Sequence, residues 1–165
     1  MSLLDKQEIT EVLYRYARAV DRKDFERVAD CYFPDAIDNH GGYIGTVDGL
    51  IEDMKSRHAT IDSSMHYITN VLIDLDGDAA HVESYCLCYL RQAPETPETP
   101  GAPQARATIK CRYVDRFERR DGQWRIADRI VVFDESVTEV IDDGLDPSWV
   151  RSRRSFEDPV FTGKP

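Results

Sequence analysis

Residues 65–90 read MHYITNVLIDLDGDAAHVESYCLCYL, two runs of strand-forming residues that meet at Asp76-Gly77. An Asp-Gly pair between such runs is a strong hairpin signal, because the tight turns that join antiparallel strands need positive φ, which Asp and Gly tolerate. The pattern predicts strands over Met65–Ile73 and Ala79–Leu90. The same device recurs at Asp121-Gly122, joining Ala107–Arg119 to Trp124–Val137. Two long hairpins make four long antiparallel strands, and a short extra strand is expected near Ala36.

Upstream of this sheet the period is helical. Ile9, Val12, Leu13, Tyr16, Ala17 and Val20 fall at the i, i+3, i+4 spacing of one helix face, with Asp5 and Glu8 as a capping pair. Phe25, Val28, Ala29 and Tyr32 suggest a second helix, capped by Asp24 and closed by Pro34. Thr46 caps a third, in which Val47, Leu50, Ile51, Met54, His58 and Ile61 share a stripe; Gly41, Gly42 and Gly45 mark the loop before it. Helices first and strands afterwards make this an α+β chain, a mainly antiparallel sheet wrapped on three N-terminal helices.

Between the hairpins, Ala93–Pro103 carries the near-repeat Pro94-Glu95-Thr96-Pro97-Glu98-Thr99-Pro100, whose prolines cannot donate to a ladder; a mobile connection near a pocket mouth is expected. After Val137 the strand pattern fades into acids, Gly144 and Pro147, then a short helix around Ser148–Phe156. The division is one domain over 1–137 and a C-terminal tail over 138–165 that docks on the domain or on a neighbouring subunit.

A chain of 165 residues with 41% hydrophobic and 32% charged residues has the balance of one ordinary globular domain. Its formal net charge of −10 would repel phosphate backbones and anionic lipid, so neither nucleic acid nor a membrane is an expected partner. No basic segment followed by an apolar run opens the chain, and no apolar stretch approaches a membrane span, which predicts a cytoplasmic protein. Cys31, Cys86, Cys88 and Cys111 lack paired CxxC spacing and read as buried free thiols.

Three polar residues fall on apolar faces: Tyr16 on the first helix, Asp21 at its end, and His66, which alternates with Ile68 and Leu72. A regular hairpin register adds Tyr85, Leu87 and Tyr89 to the face of His66. A carboxylate bonded to one imidazole nitrogen would fix the tautomer and stabilise the imidazolium, leaving the other nitrogen to take a proton; such a pair needs no metal or cofactor. There is no HxH, HExxH or Cys/His cluster for a metal and no G-x-S-x-G for a serine hydrolase. Tyr16, Tyr85, Tyr89 and nearby aliphatics would suit a largely apolar ring compound with few oxygens.

The stretch from Tyr14 to Asp24, YRYARAVDRKD, followed by Cys31-Tyr32-Phe33-Pro34-Asp35-Ala36, resembles the opening of SnoaL-like proteins. Met65–Asn70 resembles their first long strand, and the Asp-Gly turns resemble theirs, so the likeness spans most of residues 5–135. It implies the cone of the nuclear transport factor two superfamily, a cystatin-like fold with curved sheet and three helices around one hydrophobic pocket. The branch with Asp at the end of the first helix and His on the facing strand resembles scytalone dehydratase, bile-acid dehydratase and lindane dehydrochlorinase. That implies a cofactor-independent lyase with His66 as general base, Asp21 as its orienting partner and Tyr16 donating to a substrate oxygen. Arg129 would bind or polarise a leaving group, which on period two requires a bulge in its strand. The same scaffold also serves isomerases, polyketide cyclases, hydrophobic-ligand carriers and non-catalytic small subunits of ring-hydroxylating dioxygenases, which stand as alternatives. Exposed sheet faces and the Trp149-containing tail suggest self-association; the dehydratase branch implies a homotrimer, other branches a dimer.

Overall fold

The first helix, α1 (Leu3–Arg22), buries Ile9, Val12, Leu13, Tyr16, Ala17 and Val20 as its spacing requires. Its cap lies one turn earlier than expected. Ser2 accepts from the Asp5 amide and Asp5 answers at the Ser2 amide, so Asp5 closes the capping box instead of starting the helix. Helix α2 (Phe25–Asp30) is capped by Asp24. It ends before Tyr32, and Pro34 lies inside the strand that follows, β1 (Tyr32–Asn39). Strand β2 (Ile44–Thr46) leads into α3 (Val47–Arg57), capped by Thr46.

Four long strands follow: β3 (Ile61–Asp76), β4 (Ala79–Gln92), β5 (Gln104–Arg120) and β6 (Gln123–Ile141). The computed structural model describes residues 2–93, 104–142, 145–146 and 148–163; the Pro-Glu-Thr repeat, Gly144 and Pro147 lie outside them. The sheet is open, in the order β2-β1-β6-β5-β4-β3, and mixed, since β1 runs parallel to β6. It thus has six strands, where four long ones and one short one are expected. At the second hairpin Asp121 (φ 51°) and Gly122 (φ 76°) form the turn with two left-handed residues that favours this dipeptide. Ser148–Phe156 is not helical; a short helix, α4 (Pro159–Thr162), begins after Asp158.

Two of the sheet's register shifts decide how His66 and Arg129 face the helices. From the turn, β3 and β4 pair Asp76 with Ala79 and continue regularly to Val71 with Ser84; the register then shifts by one, so that Ile68 meets Cys86 and His66 meets Cys88. Without the shift His66 would face Tyr89. A one-residue slip exchanges the faces of a strand. Tyr85, Leu87 and Tyr89 therefore lie on the face opposite His66, beside Met65 and Tyr67, with the Tyr67 and Tyr89 rings edge to face at 6.1 Å. This corrects their expected place on the His66 face. The second bulge lies between Arg116 and Phe117 in the β5–β6 pairing, where β6 holds an extra residue at Ala127 and turns Arg129 inward to complete burial.

The core lies between the helices and this inner face, from Ile9, Leu13 and Val20 of α1 through Leu50 and Met54 of α3 to Val82, Phe117 and Ile126 of the sheet. Arg154 of the tail donates to the carbonyls of Val20, Asp21 and Ile61 and to Nδ1 of His58, tying the chain's end to the end of α1. Among the described residues no helix is long and apolar enough to cross a membrane.

Candidate active site

Asp21 sits on the last turn of α1, just before Lys23 ends the helix in the left-handed conformation, and its carboxylate reaches β3. Oδ1 accepts from Nδ1 of His66 at 2.7 Å and from the Ser64 hydroxyl at 2.7 Å, and Oδ2 accepts from the His66 amide at 2.9 Å. Helix end and strand are thereby joined through one carboxylate with three donors, which fixes the orientation of the imidazole. An ionised carboxylate only accepts, so Nδ1 is assigned the proton and Nε2 carries the chemistry.

The pair is almost sealed, with the His66 side chain 11% exposed. Burial alone would push the Asp21 carboxyl up, but the hydrogen bonds of His66 and Ser64 outweigh it and hold it below the usual carboxylate range. For His66 burial disfavours the charged ring, yet Asp21 and then Cys88 hold it well above the ordinary imidazole value. The site therefore favours the imidazolium that forms when Nε2 takes up a proton.

Nε2 of His66 lies 3.2 Å from Sγ of Cys88, which stands directly opposite it in the ladder. Cys86 faces Cys111 across β4 and β5; their shared hydrogen bond pulls the Cys86 thiol down and pushes that of Cys111 up. Neither Cys88 nor Ser64 stands out by sequence. Ser64 is two residues from His66 on the same strand and could be found from period two, whereas Cys88 becomes a neighbour only once the bulge is known.

The open side of His66 faces a concavity of about 280 Å³, lined with it by Asp21, by Tyr14, Ala17, Arg18 and Arg22 of α1, and by Met65 and Ile68 of β3. Arg18 and Arg22 follow Tyr14 on one helix face at steps of four. A larger hollow of about 900 Å³ lies between α1, α2 and the β5–β6 turn, lined by residues such as Glu11, Arg15 and Trp124; it does not reach His66. Among the described residues no group of three or more His, Cys, Asp or Glu side chains is placed to hold a metal ion.

Tyr16 and Arg129 stand together, away from this concavity. Arg129 binds Asp115 through both Nε and Nη2, each at 2.7 Å, and its guanidinium lies 4.4 Å from the Tyr16 ring centroid and 4.1 Å from that of Tyr113. Nη1 reaches the Tyr32 hydroxyl, which donates to Asp38, and Asp38 in turn meets His40 at 3.1 Å. This network occupies the middle of the fold, where one apolar pocket is expected. Arg129 is thus engaged with a buried carboxylate, and Tyr16 does not line the hollow beside His66.

The family model of SnoaL-like domains matches residues 1–130, and the chain belongs to that family. Its structure is similar to that of a candidate scytalone dehydratase from Novosphingobium aromaticivorans (18% identity, 90% of this chain and 97% of that one, TM-score 0.72). It is also similar to a hexachlorocyclohexane dehydrochlorinase (17%, 89% and 97%, TM-score 0.75) and to a cystatin-like-fold protein from Nostoc punctiforme (21%, 81% and 94%, TM-score 0.61). At these identities the likeness shows a shared fold. Comparison with curated proteins finds no match.

Proposed function

We propose that this SnoaL-like chain is a cofactor-independent lyase of the dehydratase type, acting on a small, largely apolar ring compound that carries a carbonyl or hydroxyl group. The observation that carries the reading is the 2.7 Å bond between Asp21 and His66, with the ring opening on a hollow large enough only for a small molecule. A substrate C–H next to a carbonyl takes the place of the weak thiol donor at Nε2. His66 removes that proton, Asp21 stabilises the imidazolium, and the enolate oxygen lies toward the positive rim of Arg18 and Arg22. As the β-hydroxyl departs it takes the proton from His66 and leaves as water, so the ring returns to its starting state. Because His66 is held high, its basic form grows with pH beyond the ordinary imidazole range, and turnover should rise with it.

Deuterium exchange at the α-carbon of small cyclic ketones in D₂O, followed by NMR, tests proton abstraction before any leaving group is known. The wild type should exchange, and His66→Gln and Asp21→Asn should lose about 10²–10⁴-fold of the rate, the usual contribution of a positioned base. Equal rates in wild type and His66→Gln would sink the proposal. Exchange without loss of water from β-hydroxy ketones would move the reading to an isomerase or cyclase. The filled middle of the fold favours a second reading, a non-catalytic oxygenase subunit; absence of exchange together with co-purification of a large metal-containing chain would support it.

A further inference from the structure

Cys88, His66 and Asp21 stand in line. The Cys88 sulfur is 3.2 Å from Nε2 of His66, whose Nδ1 is 2.7 Å from Asp21 Oδ1, and the Ser64 hydroxyl and the His66 amide hold that carboxylate from two further directions. A nucleophile within reach of a base, and a base oriented by a third group, is the arrangement by which proteins activate thiols. Cys88 is 3% exposed and packs with the core, so a ligand reaches it by way of the hollow that His66 lines.

We propose that Cys88 is a nucleophile activated by His66, reactive toward small electrophilic carbons, with α,β-unsaturated carbonyl compounds as the class it takes. The thiol proton passes to Nε2, the sulfur bonds to the β-carbon, and the electron pair of the carbon–carbon double bond moves to the α-carbon. The imidazolium then returns its proton to that α-carbon. Atoms and charge balance: the adduct is the sum of protein and ligand, and no oxidant or reductant takes part. The inference stands without the elimination proposed above; where that also holds, the unsaturated carbonyl it yields is such an electrophile, released beside the thiol.

The other thiols are the rival sites, Cys86 above all, since Cys111 pulls its thiol down. Cys86 and Cys111 share their hydrogen bond with each other, and burial pushes the Cys31 thiol up to about 11. The test treats the full chain with methyl vinyl ketone at several pH values and follows one-equivalent addition by intact mass and peptide mapping. Addition at Cys88, abolished in Cys88→Ala and slowed about 10²-fold in His66→Gln, is expected. Asp21→Asn should slow it as well, and thermal melts confirm that each variant is folded. Should His66→Gln not fold, the wild-type pH–rate profile serves instead: the rate should follow the imidazole and fall below its titration. First addition at Cys31, Cys86 or Cys111, an equal rate at Cys88 with and without His66, or no addition at all would overturn the proposal. Exchange at an α-carbon and addition at Cys88 are read separately, so either can fail while the other stands.

Discussion

Replacing Arg129 with Met tests what the buried guanidinium does. Arg129 and Asp115 have no exposed side-chain surface and meet through two 2.7 Å bonds, so Arg129→Met leaves Asp115 facing Met and three tyrosine rings. Burial already pushes the Asp115 carboxyl above its ordinary value, with Arg129 opposing it; without Arg129 the acid stays protonated in the folded chain. Protonating a carboxyl of ordinary pKa near 4 at pH 7 costs about 1.4 kcal/mol per pH unit, or about 4 kcal/mol in all, within the ~3–5 kcal/mol seen when one member of a buried pair is removed. For a chain of this size that is a fall in melting temperature of about 8–16 °C. The sign against pH follows from linkage. The variant's folded Asp115 keeps a proton that the unfolded chain releases above pH ~4, so the penalty should shrink by about 1.4 kcal/mol for each unit by which pH falls from 7 toward 5. Urea unfolding at pH 5 and pH 7, followed by tryptophan fluorescence, measures both quantities. Adding Asp115→Leu should recover most of the loss, since an apolar pair replaces a buried ion pair at little cost. A penalty under about 1 kcal/mol, or one independent of pH, would refute the charge argument.

The Asp21–His66 pair gives the wild type its own pH signature. The raised His66 contributes stability that is complete below its ordinary value near 6.5 and is lost as pH rises through its folded value, and the lowered Asp21 contributes stability that is complete above its ordinary 3.8 and is lost as pH falls through its folded value. The pair should support the fold most between about pH 4 and 6.5, and denaturation of Asp21→Asn across this range should show a flatter profile. Arg154→Ala removes the donor to the Val20, Asp21 and Ile61 carbonyls and should loosen the tail, seen as faster proteolysis C-terminal to β6. His58, held down to about 3 by burial first and by the Arg154 charge second, should titrate at a higher pH in that variant when followed by NMR.

The sheet and helices were legible because their signals are local: the stripe from Ile9 to Val20 and the two Asp-Gly turns are each set within a few residues. Facing was not, because parity along a strand accumulates from the turn and one unpaired residue reverses everything beyond it. A regular count from the turn therefore puts Tyr85, Leu87 and Tyr89 on the His66 face and Cys88 on the other, the reverse of what the shift produces. The apposition of Asp21 and His66, across 45 residues, is legible only through resemblance to a family, since no local pattern joins a helix end to a distant strand. The filled centre is illegible for another reason: Tyr16, Tyr32 and Tyr113 occupy positions where a periodicity predicts only apolar packing, yet their rings surround a charged group.

The shift between Ile68 and Val71 makes the chemistry of this chain depend on strand pairing as well as on residue identity. Here β3 spends one residue more than β4, so a strand of the same sequence that paired without the shift would present tyrosine to the imidazole where this chain presents sulfur. Deleting that extra residue would straighten the ladder and still leave Cys88 opposite His66, so what the imidazole meets is fixed by how the two strands pair and not by the residues at positions 66 and 88 alone.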